Sequence, residues 1–589
     1  MPYCVLSMDG STPFPGAMEI HSWCIGKGTI ARFFASQADV DSPAEFGVSD
    51  TALWVRWGRI FEQGDFTRAV DGEVIKMALS DREGFGRRFW GAYALLVYDK
   101  LFERFIILSD PCGQFPLFFR EDELGAIHAS GEVRDFMEVG RLPFAPNVRH
   151  LQSFVCHGRG VPTDTGIEGI SCLVPGCALI KARGRDISFA RFWHPLAGKR
   201  RVAMTDPVGL LSDVLCAALK GEQQMLLELS GGLESTTIAV ALSRLGMTRR
   251  VTAVTYFDEL RASSNETGVA AMVAAECQIA HRPLTLLDQL PFAPSSTVPV
   301  VAQPATQLCF LAQANKLTGL APGNTTLVNG HGGDALFLAP PPFGVPIDAL
   351  AHLRFARSAT AIADLSIMYR TSAWVVVRRA LAAGVHRYGG STEQPFSTEV
   401  MRDQMVEPPS GIYDHLIAQP RLALQPARRY QLAVLAATLD ETVVQARGVG
   451  RRPFLPFLSQ PIVEMALRSR PEDLFTSDHN RLPVRRSAYQ AAKLPNLWRT
   501  DKGDTTHSAL RGILLHKNHV REMCLDGWCV REGMIDRKEM ENVIKRTALG
   551  LPTGIVEITR VFAVETFLQG ILGLRPLASV ASQPMVRVP

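Results

Sequence analysis

Long apolar runs are missing from this chain of 589 residues. None approaches the ~18 consecutive apolar residues needed to cross a bilayer, so no membrane partner is expected. The opening MPYCVLSMDG lacks a basic stretch followed by an apolar one, so no signal peptide is evident. The 11 cysteines are scattered, with no CxxC pair and no Cys/His metal spacing. They read as reduced thiols of a cytoplasmic protein. Charge of one sign is scarce too: the formal net charge of +4 is too small to argue for a nucleic-acid partner. What is abundant is core-forming material. At 47% hydrophobic and 20% charged residues, the chain can build large cores with little disorder. Its length suggests roughly two to four domains at ~150 residues each.

One stretch organises the rest. Leu226-Leu227-Glu228-Leu229 reads as a buried strand, Ser230-Gly231-Gly232 as a sharp turn, and Glu234 to Leu242 as a helix. A strand, a small-residue turn and a helix N-terminus form an anion cradle, because backbone N–H groups without intrahelical partners face the ligand. The two glycines allow close approach of the backbone. Ser230 and Ser235 add hydroxyl donors, and Glu234 is a candidate magnesium ligand. The loop is neither the GxxxxGK(S/T) nor the GxGxxG pattern, so spacing alone leaves an ordinary strand-to-helix turn open. A second such turn lies further on, Leu327-Val328-Asn329-Gly330-His331-Gly332-Gly333-Asp334.

The motifs resemble those of the asparagine synthetase family. Ser230 to Ser235, SGGLES, is similar to that family's SGGxDS pyrophosphate loop, with Glu234 in place of Asp. Gly330 to Asp334, GHGGD, is similar to SGEGxDExxxGG, in the same order and at a matching separation. The resemblance continues through the first half of the chain. Phe89 to Leu95 is similar to the NGMFAFAL strand, Ser109 to Phe118 to RDxxGxxPLYY, and Val174-Pro175-Gly176 with Arg191-Phe192-Trp193 to the PPG…RYW end of that domain.

The resemblance implies an α/β two-domain protein. Residues 1–197 would be an N-terminal-nucleophile (Ntn) glutaminase-like antiparallel β-sandwich. Residues 203–589 would be an ATP-pyrophosphatase, or adenine nucleotide α-hydrolase-like, synthetase domain on a parallel sheet, with a basic linker between. It implies ATP and Mg2+ as cofactors, and a first step in which a carboxylate attacks the α-phosphate. Leu229, Ser230, Gly231, Gly232, Glu234, Ser235, Gly332 and Gly333 would hold the nucleotide. Glu234 and Asp334 would hold the metal. Lys502, within Arg499-Thr500-Asp501-Lys502-Gly503, would act as a point charge on the phosphates.

Several departures set what that ATP is for. The family's glutaminase needs Cys directly after the initiator Met; here Pro2 stands there and Cys4 lies two residues further on. Trp57-Gly58-Arg59-Ile60-Phe61-Glu62 replaces the glutamine-binding NGEIYN strand. Val449 and Pro456 stand where the family carries Glu and Asp, and the second GG is absent after Asp334. The first domain therefore reads as a relic that makes no ammonia, and the attacking nitrogen should belong to the substrate. His331 is the candidate base for an attacking amine, since histidine is the side-chain type suited to proton transfer near neutral pH; a backbone- or phosphate-bonded histidine is the plain alternative. Family branches with an internal amine are the β-lactam synthetases and the lasso-peptide cyclases. The basic helical stretch after residue 338 favours a lasso cyclase, which closes an Asp or Glu side chain onto the α-amine of the same core peptide. Such an enzyme follows a leader peptidase and a leader-binding protein. A glutamine-hydrolysing asparagine synthetase and a β-lactam-type small-molecule cyclase are the alternatives.

Overall fold

The computed structural model describes residues 3–7, 19–25, 28–34, 44–138, 144–196, 206–259, 266–286, 289–320, 325–385, 400–401, 409–442, 453–500 and 506–573. Pro2, Lys502, Val449 and the linker residues 197–205 lie outside them.

The first half is built on two long partners. Ala52–Glu62 and Phe89–Asp99 pair antiparallel along their whole length. Glu45–Val48 extends this sheet on one side, and Arg104–Ser109, Cys177–Ala182 and Ser188–Arg191 extend it on the other. A second antiparallel sheet runs in the order Ser171–Cys172, Phe118–Glu121, Ile127–Ser130, Tyr3–Leu6, Gly28–Phe34, Glu19–Ile25. Because side chains alternate across a strand, Ala94, Leu96 and Tyr98 point between the sheets with Leu6, Phe33, Ile107 and Leu179. Tyr93, Leu95 and Val97 point the other way and join helical residues such as Leu211, Val214, Ile462 and Val463 of the second half. One apolar core thus runs across both halves.

Cys4 belongs to the space between the sheets. Its Cα pairs with Phe33 on one side and Ala129 on the other. The side chain is 0% exposed, and burial pushes its thiol up to about 12. A thiolate is the nucleophilic form, so this position suits packing and not attack on glutamine. The neighbouring substitutions are used structurally as well. Trp57 is buried in the same interior. Arg59 donates to the carbonyls of Ala218 and Lys220, each at 3.0 Å, and so ties the sheet to the next domain's first helix.

That helix, Pro207–Leu219, starts as its sequence implies: Asp206 accepts from the Gly209 N–H at 2.9 Å and proline opens the first turn. The second half is centred on a parallel sheet ordered Ala280–Thr285, Val251–Phe257, Gln224–Glu228, Thr325–Val328. Its inner strands are apolar on both faces, as a sheet covered by helices requires. The backbone of Phe454 adds a further bridge beside Val328. The expected helical region after residue 338 comprises Val345–Leu350, Phe355–Met368 and Ala373–Val385. Among the described residues no helix is long and apolar enough to cross a membrane.

The packing of Cys4 has a direct chemical consequence. In the native protein Cys4 should resist iodoacetamide while the exposed Cys216 is alkylated. Peptide mapping after a brief native pulse checks this; rapid labelling of Cys4 would contradict its place in the core.

Candidate active site

Two strand ends make the site. Gln224–Glu228 and Thr325–Val328 are adjacent and parallel, with Leu227 opposite Val328. The turns that follow them therefore emerge side by side at the carboxyl edge of the sheet, where open α/β sheets place ligands.

The first turn is closed by its own hydroxyls. Ser230 N–H lies 3.3 Å from Ser235 Oγ, and Gly232 N–H donates to Ser230 Oγ at 3.2 Å. Gly231 has φ +75°, and a Cβ there would sit 2.9 Å from Val269 Cγ1, so both conformation and space demand glycine. Gly232 then caps the helix Leu233–Arg244. That helix of 12 residues presents its first turn, Leu233, Glu234 and Ser235, on the cavity wall.

The second turn packs onto the first. A Cβ on Gly330 would lie 2.7 Å from Glu234 Cβ, and one on Gly333 would lie 2.5 Å from Glu234 Cγ. The Glu234 side chain thus runs across glycines of the other loop, and its extra methylene relative to Asp lies over Gly333. Gly333 is filled by this contact and is not on the cavity wall, whereas Gly332 is. Asn329 orients the turn: its side-chain oxygen accepts the His331 N–H at 3.0 Å, and its amide donates to Glu228 Oε2 at 3.0 Å.

The carboxylates of Glu234 and Asp334 converge on one cation, the guanidinium Nη1 of Arg481. Burial and the Asp334 charge push the Glu234 carboxyl above its usual range, with Arg481 opposing them. The convergence brings together the two residues expected to bind metal. Two protein oxygens plus phosphate oxygens suit Mg2+, which keeps several non-protein ligands. Among the described residues no group of three or more His, Cys, Asp or Glu side chains forms a self-sufficient metal cage. Arg485 is a support: it donates to the Asn480 carbonyl at 2.9 Å and the Arg499 carbonyl at 3.0 Å, shaping the 497–500 segment. Burial, then the neighbouring Arg481, lower Arg485 to about 10.

These groups line a cavity of about 1490 Å3. Pockets for drug-sized ligands measure roughly 300–1,000 Å3, so there is room for a nucleotide and part of a second substrate. Leu229, Ser230, Gly231, Gly232, Glu234, Ser235, His331, Gly332 and Asp334 are all on its wall. Arg499 and Thr500 reach it as well, just before Lys502, which lies outside the described residues. Ile367, Met368 and Arg370 of the helical insert complete one side. His331 Nε2 lies 3.4 Å from Glu441 Oε2, within ion-pair range but not aligned as a hydrogen bond.

Arg481, Glu441 and Glu228 were not singled out by the motifs. Arg481 sits in an arginine-rich helix start, and only the fold reveals which arginine faces the carboxylates. Its backbone supports the placement: φ is +54°, the left-handed turn that aims the side chain back from helix Leu482–Ala492.

Paired glycine turns at the edge of a parallel sheet, with two carboxylates gathered on one cation, define a nucleotide-site α/β protein joined to an antiparallel sandwich. The asparagine synthase family model matches residues 209–566, and a glutamine amidotransferase domain model matches residues 60–193. The first match covers well over half of the chain, which belongs to the asparagine synthase family and is an ATP-dependent carbon–nitrogen ligase. No curated protein sequence matches it. Among solved structures, the allosteric regulatory enzyme of purine biosynthesis aligns at 13% identity and TM-score 0.19, over 60% of this chain and 71% of that one. The glutamine phosphoribosylpyrophosphate amidotransferase of B. subtilis, complexed with ADP and GMP, aligns at 13% identity and TM-score 0.19, over 57% and 71%. At that overlap neither bears on the site.

Arg481→Met should remove the guanidinium on which Glu234 and Asp334 converge. The melting temperature of the nucleotide-free variant should fall, and millimolar MgCl2 should recover it more than it raises wild type, because a binder of the folded state stabilises by mass action. Equal responses to MgCl2 would show that the two carboxylates do not form a metal site.

Proposed function

We propose that this chain is a lasso-peptide cyclase. It would adenylate an Asp or Glu side chain of a trimmed core peptide, then close a macrolactam onto the peptide's own α-amine, releasing AMP and pyrophosphate. The observation that carries this reading is the His331–Glu441 pair on the cavity wall beside the phosphate turns. An amine acceptor has a base within reach there. Cys4, by contrast, is sealed in a core.

In this mechanism the Ser230–Ser235 turn and its helix N-terminus receive the β- and γ-phosphates. The peptide carboxylate attacks the α-phosphorus from the open part of the cavity. Mg2+, held by Glu234 and Asp334, would neutralise phosphate charge. Arg481, released from those carboxylates, and Lys502 would add positive charge as pyrophosphate departs. In the second step His331 takes a proton from the attacking amine while Glu441 orients the imidazole and stabilises its charged form. The helical insert, which brings Ile367, Met368 and Arg370 to the wall, supports a peptide-sized second substrate. The enzyme would act after a leader peptidase and a leader-binding protein have delivered the core peptide, in the cytoplasm where ATP is at hand.

The family match by itself fits an asparagine-forming enzyme equally well; the burial of Cys4 is what weighs against glutamine as the nitrogen donor. A β-lactam synthetase-like cyclase would share the ATP half and differ in substrate size.

Incubation with a candidate core peptide, ATP and MgCl2 should yield AMP, pyrophosphate and a product lighter by roughly 18 mass units, the water lost in amide formation. His331→Ala should slow ring closure by about 10²–10⁴-fold, the usual worth of general base catalysis, with a smaller effect on peptide-dependent ATP–pyrophosphate exchange. Glutamine-dependent asparagine formation by the wild-type protein would sink the cyclase reading.

A further inference from the structure

Glu228 is a half-buried acid on the cavity wall that the ATP chemistry does not use. It is the last residue of the central strand, following the apolar Met225, Leu226 and Leu227. Its carboxyl is on the cavity wall. Asn329 donates to it at 3.0 Å and the Tyr256 hydroxyl bonds it from the neighbouring strand. Among the described residues no arginine or lysine pairs with it, and burial holds its carboxyl above the usual range. A buried carboxylate is costly unless a charge of opposite sign reaches it.

The surroundings indicate which charge that is. Asn329 bonds both the Glu228 carboxylate and the His331 backbone N–H, so the two residues are set by one side chain. Glu441 approaches the same imidazole from helix Pro426–Thr442. Glu228 and Glu441 thus both approach His331.

We propose that Glu228, together with Glu441, seats the α-ammonium of the substrate beside His331. This rests on the cyclase reading and specifies its second subsite. One proton of the ammonium passes to His331. The freed lone pair forms the N–C bond to the acyl carbon, and the C–O bond to AMP breaks with its electron pair staying on the phosphate. The nitrogen's second surplus proton leaves through Glu441, which is open to solvent. Charge balances: an acyl adenylate and an ammonium give a neutral amide, AMP dianion and two protons.

The test compares a core peptide bearing a free N-terminus with the same peptide N-acetylated. The acetylated form retains the carboxylate to be activated and lacks the ammonium. Peptide-dependent ATP–pyrophosphate exchange reads KM for both. In wild type the free peptide should have a KM about tenfold lower, the equivalent of one charge contact of ~1.4 kcal/mol. In Glu228→Gln that ratio should fall toward one, and Glu228→Asp, which keeps the charge, should restore much of it. An unchanged ratio in a folded Glu228→Gln protein would overturn the inference while leaving the cyclase reading intact. Absence of exchange with either peptide in wild type would overturn both.

Discussion

Two carboxylates from loops far apart in the chain meet on one guanidinium, and much of the second half of the molecule follows from that meeting. Glu234 and Asp334 reach Arg481 only because their parent strands are neighbours in a parallel sheet, in a register that brings both turns out at the same level. Gly330 and Gly333 supply the remaining condition, since any side chain there would collide with Glu234. Like charges held this close need a cation. A guanidinium provides it here, and a metal bound by the same two carboxylates would supply the same counter-charge. The substitution of Glu for Asp in the first loop then has a local reason, because the longer side chain fills the surface that Gly333 leaves open.

The first half of the chain has the architecture of a glutamine amidotransferase domain with Cys4 packed between its sheets. The two sheets, their alternation and their apolar interior are present, and the outer face of one sheet shares a core with the synthetase helices. Contacts across the halves are specific: Trp193 Nε1 donates to Glu464 at 2.9 Å, and Gln460 donates to the Gly86 carbonyl at 2.6 Å. Removing this domain would therefore expose apolar surface of the ligase domain. That gives a physical reason for retaining a sandwich in which Cys4 is packing material and Arg59 a fastener.

The phosphate half of the site was legible in the sequence because it is local. SGGLES and GHGGD each write a strand, a turn and a helix start in consecutive residues, and the structure brings both onto one cavity. The antiparallel half could likewise be read from runs of apolar residues and the turns between them, whereas the parallel sheet of the second half was implied by the family resemblance. What could not be read was the pairing of distant side chains. Arg481 is 247 residues from Glu234 and is one of several arginines in its segment. Neither Glu228 nor Glu441 stands in a motif that marks it. Gly333, expected to bring backbone to the nucleotide, also makes room for Glu234. Lys502 is known only from its motif, since it falls outside the described residues.

The central claim is that the Ser230–Ser235 turn uses ATP to activate a carboxylate as its adenylate. Oxygen-18 in the reacting carboxylate of the substrate peptide follows that bond directly. Attack on the α-phosphorus and later displacement by an amine leave one labelled oxygen on AMP, visible by mass spectrometry or as a shift in its phosphorus resonance. Label on AMP with none on inorganic phosphate is the predicted result. Formation of ADP with label on inorganic phosphate would mean attack at the γ-phosphorus and would contradict the account.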